Sequence, residues 1–160
     1  MTQEEKDLLV KDLCGRIPYK THCMGQENGE NKHFIIESVH YYTIIDGKTD
    51  AKVKVFEVDK TWSYERDVQI EFIKPYLRPM SSMTEEEKKE LSAKYNWSIM
   101  GNNISIRYHS DGYWDDDTEC PTNEYLKLFD WLNAHHFDYR GLIEKGLAIA
   151  VKEENNPYKE

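Results

Sequence analysis

The stretch that decides the fold runs from residue 33 to residue 58 and reads HFIIESVHYYTIIDGKTDAKVKVFEV. Residues 33–45 are rich in aromatic and β-branched side chains, which are typical of strands. Asp46-Gly47 is the clearest hairpin turn signal in the chain, because glycine accepts the positive φ that such turns require. Valine then alternates with lysine over residues 51–58, as in a strand with one buried face. The stretch therefore predicts an antiparallel pair of strands.

Shorter patterns on either side extend this sheet. Thr21–Met24 is predicted to be a short edge strand, followed by a polar loop over Gly25–Asn31. Val68, Ile70 and Phe72 alternate and indicate another strand. A further strand is expected within residues 99–108. Pro75 and Pro79 restrict the backbone and remove donors, so the segment between them is predicted to be an extended connector laid over the sheet.

Three helices are predicted. Capping boxes mark the start of two of them, with Thr2 and Glu5 before the first and Thr84 and Glu87 before the second. The first helix is expected to stop at Gly15, and the second to cover residues 85–95. The third, over 122–134, has the strongest helical periodicity, which predicts that Leu128, Phe129 and Leu132 face the core.

The fold class predicted from these elements is α+β. We expect a small antiparallel sheet over residues 20–73, for which an SH3-like arrangement is one candidate, packed with the N-terminal helix and a helical C-terminal half. A chain of 160 residues is long enough for one domain with a real apolar core. We assign residues 1–151 to that domain and 152–160 to a flexible polar tail.

Charge and composition narrow the class of partner. The net charge is -9, and residues 81–160 carry 9 basic and 16 acidic side chains against 12 and 14 in residues 1–80. No clustered basic footprint is present, so a nucleic-acid partner is not expected. No apolar run approaches the roughly 20 residues that cross a bilayer. The N-terminus is acidic, unlike a secretory signal, and the odd number of cysteines cannot pair completely within the chain. Both observations favour a cytoplasmic location.

An acidic run and a histidine pair are the main chemical candidates. Asp115 and Asp117, with Asp111 and either His135 or His136, would supply hard oxygen and imidazole ligands for a divalent metal. Adjacent side chains on a helix diverge by about 100°, however, so the two histidines would not bind one ion together. The simpler interpretation is that they lie at a helix C-terminus, where their partial positive charge interacts favourably with the helix dipole. A solvated loop is likewise the simpler interpretation of the acids. Trp114, beside the acidic run, is a candidate for partner contact.

Two further places in the chain carry residue types that catalysis or binding can use. His22-Cys23 pairs a base with a nucleophile in sequence, but neighbours on a strand face opposite sides, so an inert packed cysteine is favoured. His33 or His40 could lie across the sheet from this pair. Asp138 is expected to cap a following helical turn through the backbone N–H groups of the next residues. Arg140 is expected either to pair with Asp138 or Asp130 inside the fold or to be presented to a partner's carboxylate or phosphate.

Three stretches carry a family resemblance: LVKDLCGRIPY over 9–19, KPYLRPMSSMTEEE over 74–87, and residues 130–143, which begin with DWLN and end with FDYRGLI. Together they resemble a family of uncharacterised proteins from gut Bacteroidetes genomes and their phages and prophages. The resemblance implies an accessory protein of a mobile element, and a small barrel of short strands between the first two stretches. It implies no catalytic residues.

The sequence favours a non-enzymatic binding or adaptor protein that acts through its acidic, aromatic C-terminal half. Its partner is expected to be a protein, and no cofactor is expected. The candidate contact residues are Trp114, Asp115, Asp117, His135, His136 and Arg140. The alternative is a divalent-metal-dependent enzyme that uses Asp111, Asp115, Asp117 and His136. The oligomeric state stays open.

Overall fold

The structure is a computed structural model that describes residues 1–27, 29–43, 49–58, 65–95, 97–100, 103–106 and 122–159. Its α-helices are α1 (Gln3–Arg16), α2 (Glu85–Tyr95) and α3 (Thr122–Ala134). Its strands are β1 (His22–Glu27), β2 (Glu30–Thr43), β3 (Thr49–Glu57), β4 (Glu65–Gln69), β5 (Ile73–Leu77), β6 (Trp97–Met100), β7 (Asn103–Ile106) and β8 (Ile149–Ala150). Short 3-10 helices cover Ile17–Tyr19, Ile70–Phe72, Met80–Ser82 and Glu153–Asn155.

Six strands form one sheet in the order β4-β3-β2-β1-β5-β8, and β6 and β7 pair separately. All neighbours in the large sheet are antiparallel except β5 and β8, which are parallel. The predicted α+β class is confirmed. The finer expectation of an SH3-like sheet with a helical C-terminal half is not confirmed, since residues 81–160 contribute β6, β7 and β8 as well as two helices.

Helix α1 begins as its sequence predicts. The Thr2 hydroxyl accepts from the Glu5 N–H at 3.2 Å, and the Glu5 carboxylate accepts from the Thr2 N–H at 2.7 Å. Leu9 and Leu13, one turn apart, are fully buried against the sheet. The prediction that Gly15 ends the helix is wrong, because α1 continues to Arg16. A Cβ on Gly15 would lie 3.1 Å from the Asn133 amide nitrogen, so glycine here permits close packing.

One face of the sheet forms the main core with α1. The alternating period of β3 buries Val53 and Val55 on this face and leaves Lys52 and Lys54 half-exposed on the other, as the sequence predicts. Cys23 and Phe34 come from the neighbouring strands to the same core. The Asp46-Gly47 turn lies outside the described residues.

Strand β1 differs from its prediction. It pairs with β2 on one side and with β5 on the other, so it is an interior strand and not an edge. The polar loop expected over residues 25–31 is mostly strand, because β1 runs to Glu27 and β2 begins at Glu30. The polar composition of these residues reflects solvent exposure and not a loop, because the ends of β1 and β2 farthest from the core face solvent. Gln26 and Asn31, opposed in register, are both exposed.

The proline segment also differs from its prediction. Residues 73–77 form the interior strand β5 and not a connector laid over the sheet. Pro75 is opposed to Cys23 at a position whose backbone faces away from β1, since the Tyr76 carbonyl faces β1 and that of Leu77 accepts on the other side. Its missing N–H therefore removes no bond of the β1–β5 ladder. Tyr76 and Leu77 are buried. Apolar burial and a proline that removes no β1–β5 bond are together compatible with an interior strand.

Two other strand predictions are corrected in part. The alternation through Val68, Ile70 and Phe72 ends early, since β4 stops at Gln69 and a 3-10 helix follows. This turn places Ile70 in the core and leaves Phe72 exposed. The single strand expected within residues 99–108 is a pair, β6 and β7, antiparallel to one another.

Helices α2 and α3 have the predicted bounds and share a second apolar cluster with the chain that follows them. Its buried members are Met83, Leu91, Leu128, Trp131, Leu132 and Phe137. The predicted Thr84–Glu87 capping box is present. A parallel bridge between Arg78 and Phe137 joins this cluster to the end of β5: the Arg78 N–H donates to His136 O and the Asp138 N–H to Arg78 O, both at 2.8 Å.

The C-terminal segment returns to the sheet after β8. The Val151 N–H donates to the Leu77 carbonyl at 2.8 Å, and the side chain of Tyr158 lies half-buried against β1 and β5. The single domain over residues 1–151 and the flexibility of the tail stay predictions. Across the described ranges, no helix is both long enough and apolar enough to span a membrane.

Candidate functional site

Helix α3 has apolar side chains on both of its faces. Leu128 and Leu132 are buried, as predicted, whereas Phe129 is 39% exposed. The prediction that Phe129 faces the core is therefore wrong, because one residue along a helix turns the side chain by about 100°. Leu126, 59% exposed, and Tyr125, 38% exposed, accompany it. We call Tyr125, Leu126 and Phe129 the α3 outer face.

The turn after α3 extends this face. The Tyr139 ring lies against the Phe129 ring, with centroids 5.3 Å apart, and its hydroxyl donates to the Asn133 side chain at 3.1 Å. Asp138 is buried, and its two carboxylate oxygens accept from the Leu142 and Ile143 N–H groups at 2.8 Å each. Asp138 therefore has the capping role that the sequence indicates.

The side chain of Arg140 is partly buried, and its charged partner is neither of the two that the sequence predicts. Its Nε lies 3.4 Å from Oδ1 of Asp12 on α1, and not against Asp138 or Asp130. Its guanidinium also lies over the Tyr139 ring, 4.9 Å from the centroid. A quarter of its side chain stays exposed. The sequence does not predict this pair, because the two residues are far apart in the chain and only the packing of α1 against the turn brings Arg140 to Asp12.

Asp12 holds a second arginine more tightly. Arg16, fully buried, donates through Nε and Nη2 to the two Asp12 oxygens at 2.6 and 3.0 Å. Its Nη2 also donates to the Phe137 carbonyl at 2.7 Å, while Nη1 finds no hydrogen-bond acceptor within the described part of the chain. Two guanidinium groups thus share one buried carboxylate, and this ties α1 to the turn after α3.

His135 and His136 do not form one site. His135 stacks on Trp131 with centroids 3.9 Å apart, and its Nδ1 lies 2.9 Å from the Trp131 carbonyl. His136 has a φ of 57°, which turns its ring the other way, onto Tyr158. The prediction that adjacent histidines at this helix end diverge is confirmed.

A cluster of histidine and tyrosine rings lies where β1 meets the C-terminal segment. The Nδ1 of His22 is 2.9 Å from Nε2 of His33 on the neighbouring strand β2, so one proton lies between the two nitrogens. The Tyr158 ring packs against both His22 and His136. Burial and the nearby His33 lower the pKa of His22 to about 4, and burial with the charge of Arg16 lowers the pKa of His136 to about 3. Both rings are neutral at pH 7.

Cys23 faces away from this cluster. Its side chain is fully buried in the core, and this burial raises the pKa of its thiol far above the usual range. A thiol held protonated is a poor nucleophile. The prediction of an inert, packed cysteine beside His22 is confirmed, and the histidine across the sheet is His33 and not His40.

Most of the acidic candidate site lies outside the described residues, namely Asp111, Trp114, Asp115 and Asp117. Within the described ranges, no three histidine, cysteine or acidic side chains are grouped to hold a metal ion. The structure therefore assigns no metal role to His136, whose ring neighbours are Tyr158 and, 3.5 Å from its Nδ1, the Thr21 hydroxyl.

Sequence reasoning missed two features of this region and left the histidine opposite His22 open. Asp12 and Arg16 stand four residues apart on a predicted helix, which is a usable signal for an ion pair. The approach of His22 to His33 follows only from the hairpin register between β1 and β2. Tyr158 has no local signal, since its position depends on the path of the whole C-terminal segment.

Comparison with known proteins gives no further assignment. No protein-family model matches this chain, and neither a curated protein nor a solved structure is significantly similar to it.

Proposed function

We propose that this chain is a binding protein that engages a protein partner through the α3 outer face. The observation that carries the proposal is that Leu126 and Phe129 are 59% and 39% exposed on a helix whose opposite face already packs in the core. The core therefore accounts for Leu128 and Leu132 but not for the outward pair. Apolar side chains grouped at a surface are a common feature of partner sites.

The turn beside α3 enlarges the proposed surface with polar groups. Tyr139 packs on Phe129 and carries Arg140 beside it, and both side chains are half-exposed. Tyrosine and arginine are frequent in the centres of protein interfaces because they combine apolar area with hydrogen-bonding groups. Asp130, exposed on α3, adds negative charge. A partner surface with an apolar centre and basic groups at its rim suits this arrangement.

The cellular setting belongs to the same proposal. The resemblance of residues 74–87 and 137–143 to proteins of Bacteroidetes genomes and phages supports an accessory protein of a mobile element, acting in the cytoplasm. Its acidic C-terminal half is the part we expect to bind.

Site-specific photo-crosslinking in the source cell tests the proposal. A photoreactive amino acid at position 126 should capture one defined protein, whereas the same group at position 58 should not. Val58 is a matched control, because it is an apolar residue 38% exposed at the end of β3, outside α3. Equal capture from both positions, or none from 126, contradicts the proposal.

A charge substitution adds an independent measurement. With the photoreactive amino acid moved to position 125 on the same face, Leu126→Asp should abolish capture of the same partner and leave the melting temperature within about 2 °C, since exposed substitutions change stability by about 0.5 kcal/mol or less. Val58→Asp should leave capture intact. Sedimentation of the pure chain separates a second copy from a different protein: self-association that Leu126→Asp removes identifies the partner as the chain itself.

A further inference from the structure

The Tyr158 hydroxyl fills a gap at the end of the β1–β5 ladder. Cys23 is opposed to Pro75 in antiparallel register, so the next opposed pair is His22 and Tyr76. The hydroxyl of Tyr158 lies between them: it accepts from the His22 N–H at 3.2 Å and donates to the Tyr76 carbonyl at 2.8 Å. A side chain of the C-terminal segment thus completes the hydrogen bonding of two interior strands.

The ring of Tyr158 is held by two histidines. It stacks on His136, with centroids 3.7 Å apart and planes 10° apart, and meets His22 edge-on at 5.2 Å. His22 in turn shares one proton with His33. The facing nitrogens of that pair tolerate two neutral rings or one charged ring, but not two charged rings, because each would then be a donor.

The surroundings of the two imidazoles disfavour positive charge. The charged and titratable groups packed around them are Arg16 from α1, His33 from β2, Tyr76 from β5, Arg78 after it, His135 after α3 and Tyr158 itself. The nearest carboxylate to Arg16, that of Asp12, is already engaged by Arg16 and Arg140. A proton on His22 or His136 would therefore add charge next to cations in a buried place.

We propose that residues 152–159 form an acid-released strap. At neutral pH Tyr158 packs between uncharged His22 and His136 and closes the β1–β5 ladder. On acidification the two imidazoles take up protons as the strap leaves, which frees the His22 N–H and the Tyr76 carbonyl. This inference does not depend on the partner proposed above, because none of its residues belongs to the α3 outer face.

The direction follows from the protons bound in each state. With the strap closed, the pKa values of His22 and His136 are about 4 and about 3. Imidazoles exposed to water have a pKa of about 6.5. The equilibrium between the closed and open strap therefore favours the closed state most strongly above about pH 7. It shifts toward the open state as the pH falls from about 6.5 toward 4. Each histidine changes the opening equilibrium by about tenfold per pH unit in that window.

Hydrogen exchange followed by NMR on the full chain tests the strap. The protection factor of the His22 amide, which donates to the Tyr158 hydroxyl and which we call strap protection, should fall at least about 100-fold between pH 7.5 and pH 4.5. The Ile36 amide, bonded to the Thr21 carbonyl in the core, should keep its protection. Constant protection of the His22 amide, or loss in parallel with Ile36, overturns the proposal.

Substitutions identify the groups that take up the protons. His136→Asn suits the left-handed backbone at φ 57°, and His22→Gln keeps a polar side chain; the double variant should show strap protection that no longer varies with pH. His40→Gln, at an exposed position, is the control and should keep the wild-type profile. Should the double variant not fold, His22→Gln alone must halve the dependence of log protection on pH. An unchanged dependence in the folded variant overturns the proposal.

Tyr158→Phe separates the hydroxyl from the histidines. It removes the bridge between His22 and Tyr76 but keeps the stacked ring, so strap protection should be lower already at pH 7.5 and should still fall with acidification. Unchanged protection in this variant at pH 7.5 contradicts the assigned role of the hydroxyl.

Discussion

Arg16 and Asp12, one turn apart on α1, form an ion pair from which solvent is fully excluded: the Arg16 Nε lies 2.6 Å from Asp12 Oδ2, and both side chains are 0% exposed. Arg16 also donates to the Phe137 carbonyl, and Arg140 lies 3.4 Å from Oδ1 of the same Asp12 carboxylate. The pair is local in sequence, yet its contacts join the first helix to the turn after the third. It is therefore the polar centre of the fold.

Removing the carboxylate should be costly. Asp12→Ala leaves Arg16 buried without its counter-charge, and we expect it to lower the free energy of unfolding by about 3–5 kcal/mol, measured by urea denaturation. The double variant Asp12→Leu/Arg16→Met, which removes both charges, should recover most of this loss. A single variant as stable as the wild type would show that the pair does not hold α1 in place.

Arg140→Ala should have a smaller effect. Its Nε is 3.4 Å from Asp12 and makes no hydrogen bond within the described residues, and its side chain is partly exposed. We expect a loss of about 1 kcal/mol in the same urea assay. A loss as large as that of Asp12→Ala would place Arg140, and not Arg16, as the main partner of Asp12.

The two faces of α3 should differ sharply under truncation. Leu132→Ala should cost about 2–5 kcal/mol because it opens a cavity in the second apolar cluster. Phe129→Ala should cost about 1 kcal/mol, since the ring is 39% exposed and its aromatic partner is Tyr139. Thermal unfolding of both variants measures the difference, and equal losses would show that Phe129 is a core residue.

Gly25 should not tolerate a side chain. A Cβ there would lie 2.8 Å from the Phe34 ring and 3.2 Å from Ile73, so Gly25→Ala should lower stability by about 1–3 kcal/mol in urea denaturation. Gln26→Ala, the exposed neighbour on the same strand, should change it by about 0.5 kcal/mol or less. Similar results for the two variants would mean that Phe34 can move aside at little cost.

Asp138 should show its capping role through the contrast between two substitutions. Asp138→Ala strands the buried Leu142 N–H and the Ile143 N–H, and we expect a loss of about 2 kcal/mol by thermal unfolding. Asp138→Asn keeps one acceptor oxygen and should lose about half as much. Equal losses would indicate that the negative charge, and not the hydrogen-bond geometry, is what the turn requires.

The sequence by itself determined the elements whose signals are local. The bounds of α2 and α3 follow from a capping box and a helical period, and β3 follows from alternating valine and lysine, because these patterns depend on neighbours within a few residues. For the candidate site, the same local reasoning gave the cap at Asp138 and the divergence of His135 from His136.

Only the tertiary structure decided what depends on distant partners. The sequence marks Pro75 as a breaker, but pairing with β1 and burial of Tyr76 and Leu77 make the segment an interior strand. Phe129 has the periodicity of a core residue, and only the packing direction of α3 exposes it. His22 and His136 are 114 residues apart and Tyr158 follows 22 residues later. Their contact exists because β1, the end of α3 and the C-terminal segment meet beside β5.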